Sequence, residues 1–159
     1  MEQRFIARET AVAKDTVSVL ESLVEICRDG QLGFREAAEH AKDPSLRTFL
    51  NEQSLERAQF AGELESEIQH LGEPDPKRTG TVGGTLHRTW LDLKTALGGG
   101  DHSILAAAET GEDAAKRIYG EALADPLPEN LRSIVARQAA RVQMTHARVK
   151  ALRDQAQAA

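Results

Sequence analysis

The sequence is poor in aromatic residues, in cysteine and in long apolar runs. Phe, Trp and Tyr together make up 4% of the 159 residues, and the one cysteine, Cys27, cannot form a disulfide within the chain. No apolar run is long enough to span a bilayer, and the amino terminus lacks the apolar region of a signal peptide. These absences exclude a disulfide-stabilised fold and predict a cytoplasmic protein without a membrane-spanning segment.

The sequence also has no excess of basic residues. It contains 25 acidic and 20 basic residues, which gives a net charge of -5. A general nucleic-acid binder needs a basic surface that displaces counterions from phosphates, and anionic membranes favour the same charge. We therefore predict neither a nucleic-acid partner nor a membrane partner. Ala, Leu, Glu, Arg and Gln are abundant instead, which is a helix-forming mixture, and hydrophobic residues at 40% suffice for the core of one domain.

Apolar residues recur at steps of three and four along four long segments, a spacing that predicts amphipathic helices. The predicted long helices cover residues 16–42, 44–71, 102–124 and 129–153. Asp43 precedes Pro44 as the expected N-cap of the second helix, and Asp101 is the expected cap of the third. Residues 72–84 are rich in Gly, Pro and Thr and lead into a short predicted helix over residues 85–97.

The lengths of these connections predict how the helices are arranged. Two tight corners make two antiparallel hairpins, and the long connection between them is the one-crossover topology of ferritin-like proteins. We therefore predict an all-α fold, a ferritin-like four-helix bundle over residues 16–159 with a crossover that carries a short helix. Residues 1–15 form a helical extension or a tail, in which Phe5, Ile6 and Val12 are expected to pack on the bundle or on a partner subunit. A homo-oligomer is the expected partner.

Four polar side chains fall at inward positions of four different predicted helices: Gln31, Glu56, Glu112 and His146. Each lies roughly 14 to 18 Å from the end of the domain where Asp43 lies, at about 1.5 Å per residue, so all four share one level. Buried polar groups are costly unless they are paired or bind a metal. Carboxylate and imidazole suit iron or manganese, which makes these four residues a candidate metal set.

The candidate set is short of a full di-iron site, since such a site takes a glutamate from each of two helices and Glu-x-x-His from the other two. This chain offers Gln143-x-x-His146 on the last helix and only Gln31 on the first. Glu56, Glu112 and His146 would suffice for one metal ion, with Gln31 as a weak ligand. The chemistry would then be oxidation of ferrous ion or breakdown of peroxide, and no catalytic residue is assigned.

A structural alternative stands beside the metal site. The same polar residues are able to form a hydrogen-bonded layer that fixes helix register, with Arg57 or Arg141 neutralising the carboxylates. The chain would then be a non-catalytic structural or stress-response interaction bundle. The residues alone leave the two alternatives open.

Several short motifs follow one another along the chain. They are Ile26-Cys27-Arg28-Asp29-Gly30 with Gly33-Phe34, Glu56-Arg57 with Phe60-Ala61, Leu86-His87-Arg88 with Trp90, and Gly111-Glu112-Asp113 followed by Tyr119. In this order they resemble a group of bacterial ferritin-like four-helix-bundle proteins, mostly from Proteobacteria, catalogued as a domain of unknown function. The resemblance implies a ferritin-like bundle and no particular reaction, although related ferritin-like stress proteins suggest metal handling. It also implies glutamate in relatives at the position of Gln31, so that this chain would have lost a ligand.

Overall fold

The computed structural model describes residues 2–72, 90 and 92–158, with residues 5–14 and 158 described by their backbone alone. The helices in this part of the chain are α1 (Glu2–His40), α2 (Pro44–His70), α3 (Leu93–Ala96), α4 (Asp101–Ala124) and α5 (Glu129–Ala158). All regular structure in the described residues is helical, which confirms the all-α prediction. Of the short helix predicted over residues 85–97, the described residues show only the four-residue α3, with Trp90 and Asp92 before it and Leu97 after it outside the helix. Residues 85–89 and 91 lie outside the described residues. None of the described helices has the length and apolarity needed to cross a bilayer.

The helix ends show which capping predictions hold. The Asp43 side chain accepts a hydrogen bond from the backbone N–H of Ser45 at 2.9 Å, so Asp43 caps α2 as predicted. Asp101, however, is the first residue of α4 rather than its cap, which is Gly100 at φ 91°. The Asp101 carboxylate instead accepts hydrogen bonds from the backbone N–H groups of Lys42 and Asp43, at 2.8 and 3.0 Å. It therefore ties the start of α4 to the turn between α1 and α2.

Side-chain contacts define the directions of the packed helices. α1 packs against α2 and α4, α5 packs against α4, and α2 and α5 meet along a looser seam. Along each seam, residue numbers rise on one helix while they fall on the other, so neighbouring helices are antiparallel. The contacts that show this are Gln31–Ser54 and Arg28–Glu65, Gln53–Thr145 and Glu63–Arg137, and Asp113–His146 and Tyr119–Gln138.

The core is divided into two apolar clusters along the helix axes. The first cluster includes Leu20, Leu23 and Phe60 near the corner that joins α4 to α5. The second cluster includes Phe34 and Leu105 near the turn that joins α1 to α2. Between the clusters lies a polar layer, which we define by its residues: Gln31, Gln53, Glu56, Arg57, Glu112, Thr145 and His146. The four predicted site residues thus lie at one level.

The one tryptophan of the chain, Trp90, lies between α1 and α4 and is 2% exposed. A Cβ atom added at Gly33 would come within 2.2 Å of the indole, and one added at Gly111 within 2.5 Å. The Phe34 ring meets the indole edge to face, with the ring centroids 4.9 Å apart. Both glycines therefore leave room for the large Trp90 side chain between the two helices.

Candidate functional site

An ion pair between Arg57 of α2 and Glu112 of α4 lies at the centre of the polar layer. Nη2 of Arg57 donates to Oε2 of Glu112 at 2.5 Å, and the two side chains are 1% and 0% exposed. The guanidinium lies over the Phe34 ring, 5.4 Å from its centroid. A Cβ atom at Gly30 would lie 3.2 Å from Nη1 of Arg57, so the absence of a side chain there makes room for the guanidinium.

The carboxylate of Glu112 keeps this buried arginine charged. Burial on its own lowers the pKa of Arg57, because it disfavours the charged form, but the charge and hydrogen bond of Glu112 raise that pKa above its ordinary value. A buried pair of this kind is strongly destabilised when one partner is removed, since the remaining charge stays uncompensated. Arg57 and Glu112 therefore form one unit that links two non-neighbouring helices.

A hydrogen-bond chain next to this pair touches all four long helices. The Tyr119 hydroxyl in α4 donates to Oε1 of Gln138 in α5 at 2.7 Å, and Nε2 of Gln138 donates to Oε1 of Glu63 in α2 at 2.8 Å. Sγ of Cys27 in α1 lies 3.0 Å from the Tyr119 hydroxyl. Because the phenol has one proton and gives it to Gln138, the thiol of Cys27 is the donor in that contact.

The pKa values along this chain follow from burial and from hydrogen bonding. Burial raises the pKa of Cys27 to about 11, against the smaller opposite effect of Arg57, and also raises the pKa of Tyr119. Burial opposes the charge of Glu63 too, but hydrogen bonds from Arg137 and Gln138 lower its pKa overall. Cys27 is therefore a protonated hydrogen-bond donor at neutral pH, not a reactive thiolate.

The four predicted site residues bind four different partners. Glu112 pairs with Arg57 as described, and Glu56, in the seam between α2 and α5, accepts from Nη2 of Arg141 at 3.0 Å. Nε2 of His146 lies 2.6 Å from Oδ1 of Asp113 on the neighbouring helix α4. Oε1 of Gln31 accepts from Nη1 of Arg28, one turn away on α1, at 2.9 Å. Of the four side chains only Glu112 is fully buried, while Gln31, Glu56 and His146 are partly exposed.

Each of the two predicted carboxylate ligands, Glu56 and Glu112, has one buried oxygen that accepts no hydrogen bond from the part of the chain that the structure describes. Among the described residues, Oε1 of Glu56 and Oε1 of Glu112 have no hydrogen-bond partner. In the same part of the chain, no group of three or more His, Cys, Asp or Glu side chains is arranged to hold a metal ion. The metal site over Gln31, Glu56, Glu112 and His146 stays a prediction.

Sequence reasoning missed that Arg57, rather than its neighbour Glu56, is the inward residue of α2. Both positions continue the apolar spacing of that helix, because Phe60 lies three residues after Arg57 and four after Glu56. A usable signal lay on the facing helix. Gly30 and Gly33 lie in the interior of α1, where glycine costs about 1 kcal/mol relative to alanine. Such glycines indicate that something large approaches the backbone, and Arg57 and Trp90 do so.

Comparison with protein families identifies the class. Residues 15–125 match the family described as domain of unknown function DUF2383, and the chain belongs to that family. The resemblance inferred from the motifs is thereby confirmed as membership of a domain family without an assigned function. No curated protein matches the chain.

Proposed function

We propose that this chain is a non-catalytic interaction domain, built as a ferritin-like four-helix bundle, whose polar layer fixes the register of its helices. The observation that carries the proposal is the Arg57–Glu112 pair, in which two fully buried charges neutralise each other across the domain. The chain from Cys27 to Glu63 adds contacts among the four long helices at a neighbouring level. Buried polar contacts are satisfied in one alignment of the helices and lost when a helix slides by a turn.

The order of the helices supports the ferritin-like arrangement. Ile68, near the end of α2, belongs to the first apolar cluster, whereas Ile104, near the start of α4, belongs to the second. The chain therefore passes from one end of the domain to the other between these helices. A long crossover between two antiparallel hairpins is the arrangement of ferritin-like proteins, whereas a simple up-and-down bundle uses short loops.

The charges of the polar layer support register over metal binding. A divalent cation takes ligands that are anionic or neutral, and the Glu112 carboxylate already faces the guanidinium of Arg57 at 2.5 Å. Nη2 of Arg141 also pairs with Oε2 of Glu56, at 3.0 Å and nearer the surface. A bound dication would have to displace these cations or remain close to them. The residues present therefore fit a layer of ion pairs better than an iron or manganese centre.

Metal binding remains a second candidate because of one observation, the buried oxygens of Glu56 and Glu112 that have no hydrogen-bond partner among the described residues. These atoms would hold iron or manganese together with His146, and Gln31 would complete the set as a weak ligand. Bound iron would supply redox chemistry to the layer, and these side chains would orient it.

Metal content tests the proposal against this candidate. The untagged protein, purified without chelator from cells supplied with iron and manganese, is analysed by inductively coupled plasma mass spectrometry and titrated with ferrous ion without oxygen. We expect less than about a tenth of a metal ion per chain. Ferrous ion should also leave the melting temperature unchanged, because only a ligand that binds the folded state raises that temperature. Near-stoichiometric metal that is lost in Glu112→Gln but kept in Glu121→Gln would overturn the proposal. Glu121 is a matched control, since it pairs with Arg117 on the exposed face of α4.

The register role is tested by replacing the ion pair as a unit. Glu112→Gln alone leaves the Arg57 charge buried without its partner and should lower the free energy of unfolding by about 3–5 kcal/mol. The double variant Arg57→Met/Glu112→Leu should recover most of that loss, because apolar side chains replace both charges. Although its stability recovers, the double variant should no longer hold its helices in a single alignment. Broadened amide resonances in its NMR spectrum would show this. Sharp resonances in the double variant would contradict a register role.

A further inference from the structure

Helix α1 extends well beyond the helices that pack against it. It has 39 residues whereas α2 has 27, and at about 1.5 Å per residue the difference corresponds to roughly 18 Å. The first α1 residue of the apolar core is Val17, which shares its cluster with Ile68 near the end of α2 and with Leu127 just after α4. The backbone of residues 2–14, which we call the overhang, therefore continues as helix past the ends of α2 and α4.

A groove begins where the overhang ends and follows the seam between α1 and α4. It consists of three adjoining depressions and extends along α1 from Asp15 to Asp29. The smallest lies in the middle, sharing Val19 with one neighbour and Ser22 and Ile118 with the other. The two larger depressions have volumes of about 370 and 460 Å³, enough for apolar side chains of a partner. We call this surface the α1–α4 groove.

The α1–α4 groove combines an apolar floor with an acidic edge. Its floor contains Val19, Ile26, Ala114 and Ile118, and acidic residues follow both helices along it: Asp15, Glu25, Glu121 and Asp125. One arginine, Arg117, lies among them and pairs with Glu121. A surface of this kind suits an amphipathic helix that carries basic residues beside its apolar ones.

One stripe of apolar residues runs along α1 through both the overhang and the α1–α4 groove. Phe5, Val12, Val19 and Ile26 follow at intervals of seven residues, so they share one face of a continuous helix. Val19 and Ile26 line the groove, and positions 5 and 12 lie in the overhang. When two copies of α1 are laid antiparallel about a twofold axis between residues 15 and 16, position 5 faces position 26 and position 12 faces position 19. The stripe is therefore self-complementary.

We infer that two copies of this chain form an antiparallel dimer in which the overhang of each lies in the α1–α4 groove of the other. The inference rests on the proposed function, since it names the partner of the interaction domain. The lengths agree, because the 13 residues of the overhang and the 15 residues from Asp15 to Asp29 both measure roughly 20 Å along a helix axis. Such a contact is isologous, and one surface serves both subunits.

Charge supports a second copy as the occupant. The overhang contains three basic residues, Arg4, Arg8 and Lys14, against two acidic ones, Glu2 and Glu9. In the antiparallel alignment Arg8 comes within one turn of Glu25 at the edge of the partner's groove. Opposite charges at the edge of an interface favour encounter and correct alignment. The same helix thus supplies a basic side chain and part of the acidic groove edge, so a second copy of this chain provides both partners of the contact.

A designed disulfide tests the alignment. In a Cys27→Ser background, Val12→Cys and Val19→Cys are introduced into one chain; about 10 Å separates them along the helix, too far for a bridge within a chain. Mild oxidation should give covalent dimers whose linked peptides join position 12 to position 19. The control Val12→Cys/Gln59→Cys, with the second cysteine on the exposed face of α2, should give at least about tenfold fewer dimers. Equal yields from both variants would overturn the alignment.

A charge exchange tests the dimer without cysteines. By sedimentation equilibrium, Arg8→Glu and Glu25→Arg should each weaken association at least about tenfold, because like charges then meet, and the double variant should restore it. An unmodified protein that is monomeric at about 100 µM would overturn the inference and leave the groove to residues 73–89 of the same chain or to another protein. So would a dimer that all three variants leave unchanged. Failure of the proposed function would have a different readout, since it would appear as bound metal in the metal analysis whether the protein is a monomer or a dimer.

Discussion

Alanine in place of Gly33 or Gly111 is expected to expel the indole of Trp90 from its site between α1 and α4. The new Cβ atoms would lie 2.2 and 2.5 Å from indole carbon atoms, closer than any tolerable contact. The indole is 2% exposed, lies between the two helices and also meets the Phe34 ring edge to face. Either substitution should therefore displace the side chain rather than shift it.

The magnitude follows from two opposing effects. Loss of a buried tryptophan from a core costs about 3–5 kcal/mol, and an alternative repacking with strained side chains costs about 1–3 kcal/mol. Alanine also stabilises a helix interior by about 1 kcal/mol relative to glycine. We expect a net loss of about 2–4 kcal/mol in the free energy of unfolding for Gly33→Ala, with a similar value for Gly111→Ala.

The chain offers matched controls for this experiment. Gly62 in α2 and Gly120 in α4 are also helix-interior glycines, but a Cβ atom there meets nothing within 4 Å. Gly62→Ala and Gly120→Ala should therefore raise the free energy of unfolding by about 0.5–1 kcal/mol. All four variants are compared by urea denaturation.

Fluorescence reports the displacement directly, because Trp90 is the one tryptophan of the chain. Its emission in the unchanged protein should be that of a buried indole, given an exposure of 2%. The emission should move to longer wavelength in Gly33→Ala and Gly111→Ala and stay in place in both controls. Gly33→Ala with unshifted emission and the stability gain of Gly120→Ala would refute the reasoning.

Three further predictions follow from the hydrogen bonds and pKa values. The raised pKa of Cys27 stabilises the folded state fully at pH values below the unfolded pKa of 9.0, and this contribution is lost as pH rises toward about 11. The variant Cys27→Ser keeps a hydrogen-bond donor that does not titrate in this range. It should therefore reduce the loss of stability in urea titrations at pH 8 to 11. The lowered pKa of Glu63 implies stability that is present above its unfolded value of 4.5 and is lost as pH falls below it, so Glu63→Gln should flatten the acid side of the melting-temperature profile. Asp101→Ala should cost about 1–2 kcal/mol by removing the acceptor for the Lys42 and Asp43 N–H groups, and Asp101→Asn should cost less; equal stability of both with the unchanged protein would contradict the role of that carboxylate.

Local signals in the sequence determined most of the secondary structure. Asp43-Pro44 marks the end of α1 and the start of α2 because the aspartate side chain caps the first turn and proline fits its first position. The spacing of apolar residues determined where the long helices lie, since one helix face must be buried. The same spacing placed Gln31, Glu56, Glu112 and His146 at one level, because the rise per residue of a helix is constant.

Tertiary packing decided which side chains meet at that level. Glu56 and Arg57 differ by about 100° around α2, and the rotation of α2 between α1 and α5 turned Arg57 into the core and Glu56 to the seam. The sequence could not reveal that Glu112 pairs with Arg57, since a carboxylate serves a metal ion and a guanidinium equally well until its neighbour is known. Trp90 likewise met Gly33 and Gly111 through the packing of α1 on α4. Spacing within one helix thus sets depth and face, whereas partners across helices depend on how each helix is rotated against its neighbours.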